Sequence, residues 1–174
     1  TFKDVEREEM EHFEEHLATV DAGKKKETTD VTMDVEPTDA SIEELTDRNA
    51  EWRKELRASM KAKERTAIER VKMPELDPLY RATTRTEEVN IGLTKEMALT
   101  EAKRCLDCPK PTCMEGCPVS INIPSFIKNI ERGQFLAAAK VLKNTSALPA
   151  VCGRVCPQEK QCESKCIHLK MNEK

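Results

Sequence analysis

The chain has 174 residues, of which 35% are charged and only 3% aromatic, with a formal net charge of −3. That length holds one domain and hardly two, and so charged a composition excludes a conventional apolar core running through all of it. No apolar run reaches the roughly 18 residues of a membrane-spanning helix, and without a dense basic stripe or aromatic platform the chain does not read as a nucleic-acid binder.

Acidic residues dominate positions 1–40, and the balance turns basic from Cys105 onward. The start, Thr1-Phe-Lys-Asp-Val-Glu-Arg, is charged and has no signal-peptide form, so a cytoplasmic, reducing compartment is expected. A first residue other than Met and a polar end at Lys170–Lys174 read as a segment of a longer polypeptide. Met10, Phe13, Leu17 and Val20 recur at helical spacing and predict an amphipathic helix over 2–20, closed by Gly23. His12 and His16 lie one helical turn apart. With no cysteine or Glu–His pattern beside them, they read as surface histidines. Residues 24–37 are polar and read as a linker, so 1–40 form an acidic helix and linker.

A long amphipathic helix is expected over 41–72. Ser41-Ile-Glu-Glu44 has capping-box form, and Leu45, Trp52, Leu56, Met60, Ala67 and Val71 make one narrow stripe. Such a stripe needs a partner surface, either the cysteine region or another protein. Pro74 and Pro78 break the helix, and extended chain leads to Gly92-Leu-Thr94. Thr94 caps a short helix through Ala98 and Ala102 that delivers Cys105. Pro124 suits the first turn of a helix that Gly133 ends, and another helix runs through Phe135, Ala139 and Leu142. Strand patterns are missing, so the expected class is all-α.

All eight cysteines lie between Cys105 and Cys166, in two groups of four along the chain. The first is Cys105, Cys108, Cys113 and Cys117; the second is Cys152, Cys156, Cys162 and Cys166. Structural disulfides need an oxidising compartment, which nothing in the sequence supplies. Zinc accepts four thiolates, but its modules usually pair two Cys-x-x-Cys knuckles, and only Cys105 and Cys108 have that spacing. Iron–sulfur ligation fits better. Cys105, Cys108 and Cys113 can wrap three corners of one cluster, while Cys117, followed by Pro118, turns to a second, as in two-cluster ferredoxins. The longer gap before Cys113 departs from the standard ferredoxin run, so that fold is not implied. Arg104, Lys110, Arg154 and Lys165 are nearby cations that would offset an anionic cluster, although each taken singly reads equally well as ordinary solvated surface.

Residues 73–168 resemble the N-terminal iron–sulfur domain of the glutamate synthase small subunit family. That family includes the large subunit of NADH-dependent reduced ferredoxin:NADP oxidoreductase and the N-terminal region of dihydropyrimidine dehydrogenase. The resemblance is carried by Asp77-Pro78, Gly92-Leu-Thr94, Glu101-Ala-Lys-Arg-Cys-Leu-Asp-Cys108, Gly116-Cys-Pro118 and Ile123-Pro-Ser-Phe-Ile127. Leu148-Pro-Ala-Val-Cys-Gly-Arg-Val-Cys-Pro157 and Cys162-Glu-Ser-Lys-Cys166 complete it. It implies an α-helical ferredoxin-like domain over 73–174 with two interleaved [4Fe-4S] clusters. Cys105, Cys108, Cys113 and Cys166 would bind the first, and Cys117, Cys156 and Cys162 the second. The family's remaining ligand is a Gln or Glu that its spacing places past Lys174, and the position matching Cys152 is not a ligand in it; in this chain Cys152 is the local thiol that could substitute.

The five glycines, at 23, 92, 116, 133 and 153, make no Gly-x-Gly-x-x-Gly loop for a dinucleotide. By the resemblance, FAD and NAD(P)H belong to downstream domains, and the chain is an electron-transfer segment of an NAD(P)H-dependent oxidoreductase, not catalytic alone. Its expected partners are dinucleotide-binding domains of the same parent chain or a partner oxidoreductase subunit, with no nucleic acid and no membrane. The competing reading is a zinc- or cluster-stabilised helical scaffold for protein interaction.

Overall fold

The computed structural model describes residues 39–171. The helix expected over 2–20, with His12 and His16, and the linker at 24–37 lie outside them. The regular elements of the described residues are short helices joined by loops, and the only β feature among them is an isolated antiparallel bridge between Glu75 and Asn90. The class is all-α, as expected. No described helix is long and apolar enough to cross a membrane.

Two compact units divide the described chain, one of residues 75–91 and one of 39–74 with 92–171. Within the first, Asp77 caps the single turn α4 (Pro78–Arg81) by accepting from the Leu79 and Tyr80 amides. The extended chain expected between Pro78 and Gly92 therefore opens with a helical turn: proline at the first helical position starts a turn as readily as it stops one. Tyr80 donates its hydroxyl to Glu87 at 2.6 Å, and the Leu76 amide donates to the Val89 carbonyl.

In the second unit, the helix expected over 41–72 is three helices: α1 (Ile42–Thr46), α2 (Glu51–Ser59) and α3 (Ala62–Ala67). The Ser41–Glu44 capping box forms as expected. The first break follows from side chains competing for the backbone. Thr46 Oγ1 donates back to the Ile42 carbonyl at 2.8 Å, and Asp47 leaves the helix to accept from the Asn49 amide at 2.7 Å. Extended backbone at Met60 makes the second break. The expected apolar stripe also fragments: Leu45 is buried, Trp52, Leu56, Met60 and Val71 are half-buried, and Ala67 is exposed. The fully buried residues of α2 and α3 are instead Arg53 and Arg65.

Beyond Thr94 the local signals hold. Thr94 caps α5 (Lys95–Lys103), and α6 (Thr112–Glu115) is one turn inside the first cysteine group. Pro124 lies in the first turn of α7 (Ile123–Glu131). Gly133 ends that helix at φ 80, where a side chain would be strained. Helix α8 (Phe135–Lys143) packs along α7, which also packs on α5, while α1 lies on both α7 and α8. The apolar core is small: Leu45, Ala137 and Val141, with Ala40, Ile42 and Phe126 against them. Helix α9 (Pro149–Val155), two 3-10 turns (Gln158–Lys160 and Glu163–Lys165) and α10 (Ile167–Met171) carry the second cysteine group.

Candidate metal centre

Most of the cysteines sit at or just past helix ends. Helix α5 stops at Lys103 and hands the chain to Cys105 and Cys108; α6 carries Cys113 and leads to Cys117. Cys152 lies within α9 and Cys156 just past its end, and Cys162 and Cys166 flank the second 3-10 turn. All eight are free thiols and half-buried.

Their grouping in space is not their grouping along the chain. Burial pushes Cys113 up to about 12, and its neighbours Cys105, Cys166 and Cys108 add to that shift. Burial also raises Cys108, with Cys166 next in weight. Burial raises Cys105, while the Lys128 ammonium pulls the other way. Cys166 thus shares the neighbourhood of the first three cysteines. Cys117 belongs to the other one: burial, then Cys152 and Cys117, raise Cys156, and burial with a contribution from Cys117 raises Cys162. Cys152 interacts with Cys156 by charge and by hydrogen bond, and its sulfur lies 3.9 Å from Ser146 Oγ.

Gly116 lets the two halves meet. A Cβ there would lie 2.6 Å from the Gln161 carbonyl oxygen and 3.0 Å from Cys162 Cα. Thr112 Oγ1 donates to the Lys165 carbonyl at 2.5 Å, a second tie between the halves.

Backbone amides face the sulfurs. Asp107 serves Cys105, Met114 serves Cys113, Glu163 serves Cys162, and the Ile121 amide lies 3.5 Å from Cys117 Sγ. Soft thiolates supported by N–H donors are the donor chemistry of an iron–sulfur cluster. Among the described residues no three His, Cys, Asp or Glu side chains make a group that could hold one metal ion. A four-iron cube spreads its ligands further apart than one zinc does.

A buried charged layer lies under the first cysteine loop, and the sequence reading missed it. Asp107, fully buried between Cys105 and Cys108, holds Arg53 at 2.6 Å and Arg57 at 2.6 Å. Burial alone would raise this carboxyl, but the two guanidinium groups outweigh that and hold it below its ordinary value. Lys128, also buried, donates to the Cys105 carbonyl at 2.7 Å and to Glu131 at 2.5 Å. Glu131 also pairs with buried Arg65 at 2.9 Å, and Arg65 donates to the Lys103 carbonyl at 2.6 Å. Asn129 adds bonds to the Leu45 and Ser125 carbonyls. Of the cations expected beside the cysteines, Lys110, Arg154 and Lys165 are exposed, and Arg104 is half-buried in an ion pair with Glu101. The arginines that hold Asp107 come instead from far earlier in the chain: Arg53 and Arg57 from α2, and Arg48 from the turn before it.

Residues 81–174 match the family described as dihydropyrimidine dehydrogenase domain II, 4Fe-4S cluster. The chain is 35% identical over 96 residues to the glutamate synthase [NADPH] small chain of Azospirillum brasilense, covering 55% of this chain and 20% of that one. It is 38% identical over 93 residues to the corresponding chain of Halomonas elongata, covering 53% and 20%. To the NAD-dependent dihydropyrimidine dehydrogenase subunit PreT of Escherichia coli it is 40% identical over 80 residues, covering 46% and 19%. The matched part spans about a fifth of the length of these curated relatives. With a match over more than half its length, laid across a helical fold that gathers thiols beneath backbone amides, the chain belongs to the 4Fe-4S cluster family of dihydropyrimidine dehydrogenase domain II.

Proposed function

We propose that this chain is the electron-relay segment of an NAD(P)H-dependent oxidoreductase and that it holds two [4Fe-4S] clusters. The observation that carries the reading is the crossed pair of thiol neighbourhoods, each with amide donors on its sulfurs. Cys105, Cys108, Cys113 and Cys166 are the proposed ligands of the first cluster. Cys117, Cys156 and Cys162 serve the second, with Cys152 as the thiol that completes it. When bound, such clusters accept and release one electron at a time. The residues of the chain hold the thiolates apart, aim amide hydrogens at them and place Lys128 behind Cys105.

Membership of a 4Fe-4S family supports this reading, as do relatives named as NADPH- and NAD-dependent enzyme chains. The proposed electron source is an FAD and NAD(P)H module in the same parent chain or a partner subunit, and the acceptor is a further oxidoreductase subunit. The eight free thiols support a reducing compartment, and the cytoplasm is the one proposed.

The test is anaerobic reconstitution of the full chain with ferrous iron and sulfide. About eight irons per chain, a brown colour and reduced-state paramagnetic resonance signals from two interacting clusters are expected. Colourless protein that takes up two zinc ions in preference to iron would replace this reading with the helical scaffold.

A further inference from the structure

Asp107 adopts left-handed backbone, φ 53, between two cysteines. That region is uncommon for residues with a Cβ, although aspartate tolerates it better than most. Three arginines hold it there. Arg53 places Nη2 at 2.6 Å from Oδ1 and Nε at 3.0 Å from Oδ2, and Arg57 Nη1 lies 2.6 Å from Oδ2. Arg48 donates from Nε at 3.2 Å and Nη2 at 3.0 Å to the Asp107 carbonyl. Arg53 is itself fixed by the Thr46 carbonyl at 3.1 Å and Ser125 Oγ at 2.8 Å.

One carboxylate balances one guanidinium, so three arginines leave positive charge in excess beneath the loop. All three precede the residues that match the family. We propose that Arg53 and Arg57 are positioning residues for the iron–sulfur site: through Asp107 they fix the Cys105–Cys108 loop, and their surplus charge favours the reduced cluster bound there. Reduction adds one electron to an already anionic group, and a cation held in a low-dielectric setting stabilises the more negative state. The inference rests on the reading of Cys105 and Cys108 as cluster ligands.

The experiment uses the full chain, reconstituted anaerobically and titrated with dithionite while paramagnetic resonance follows each cluster. Arg57→Gln is the mild variant, since Arg53 still holds Asp107. Its expected result is a lower reduction potential for one cluster and an unchanged one for the other, with Arg57→Lys restoring the first. Asp107→Asn removes a negative charge from the same place, so it is expected either to raise that same potential or to release that cluster's irons alone. Potentials that stay unmoved in loaded Arg57→Gln and Asp107→Asn would overturn the proposal, as would loss of both clusters together. Wild-type chain with no cluster signal would instead overturn the ligand reading on which it rests.

Discussion

Gly116 and Gln161 touch backbone to backbone, so closely that a methyl group on Gly116 would lie 2.6 Å from the Gln161 carbonyl oxygen. The obstacle is main chain, which cannot swing aside like the tip of a long side chain. Gly116→Ala is therefore expected to force the halves of the cysteine region apart. Overpacking of this kind costs about 1–3 kcal/mol. Thermal melting and iron content should both fall. Gly153→Ala is the control: nothing lies within 4 Å of its added Cβ, and it sits inside α9. Alanine there is expected to leave stability unchanged or raise it by up to about 1 kcal/mol. Equal effects of the two substitutions would refute the contact argument.

Glu131 is flanked by two buried cations, Arg65 and Lys128. Glu131→Gln removes the anion and strands both charges away from water. Breaking a buried pair this way costs about 3–5 kcal/mol. Urea unfolding of the variant should show a midpoint well below that of the parent chain. The double variant Lys128→Met with Glu131→Gln should recover part of the loss, because one of the stranded charges is gone. A double variant no more stable than the single one would count against the ion-pair account.

Trp52, the only tryptophan, lies under the Arg132 guanidinium, 3.9 Å from ring centroid to Cζ. Its emission therefore reports whether α2 is docked on the turn after α7. Metal sites built from distant ligands couple binding to folding. Chelation of iron from the reconstituted chain is expected to shift Trp52 emission to the red and to lower helical circular dichroism. Spectra that ignore iron removal would uncouple the cluster from the helices.

Cys152 and Cys156 lie four residues apart around the end of α9 and interact through their thiols. Cys152→Ala and Cys156→Ala are each expected to remove the irons of one cluster, about four per chain. Iron analysis after reconstitution reads this directly. Full iron in Cys152→Ala would assign that position to a residue other than cysteine.

What could be read from the sequence followed the range of each signal. Thr94, Pro124 and Gly133 act on backbone within a few positions of themselves, and the helices they bound were legible. The break after Thr46 is local too, but its threonine and aspartate were absorbed into an apparent helical stripe. Arg53 and Asp107 are another matter. They pair across 54 positions, and a charged residue amid charged neighbours reads as solvated surface until its distant partner is known. That Cys117 parts from Cys105, Cys108 and Cys113 was hinted at by the proline after it, but nothing in the spacing parts Cys166 from Cys162, and its expected place with the first three came only through the family resemblance.

Cys166 shares its surroundings with Cys105, Cys108 and Cys113, and so the last cysteine of the chain completes the earliest thiol neighbourhood. A ribosome delivers these residues in order. Helices α1 to α3 and their arginines emerge well before the Cys105–Cys108 loop they hold, but the neighbourhood stays open until Cys166 follows. Contacts so distant in sequence close slowly, and a nascent chain exposes what it has not yet packed. Until then Cys105, Cys108 and Cys113 lack the neighbour that the folded chain gives them in Cys166.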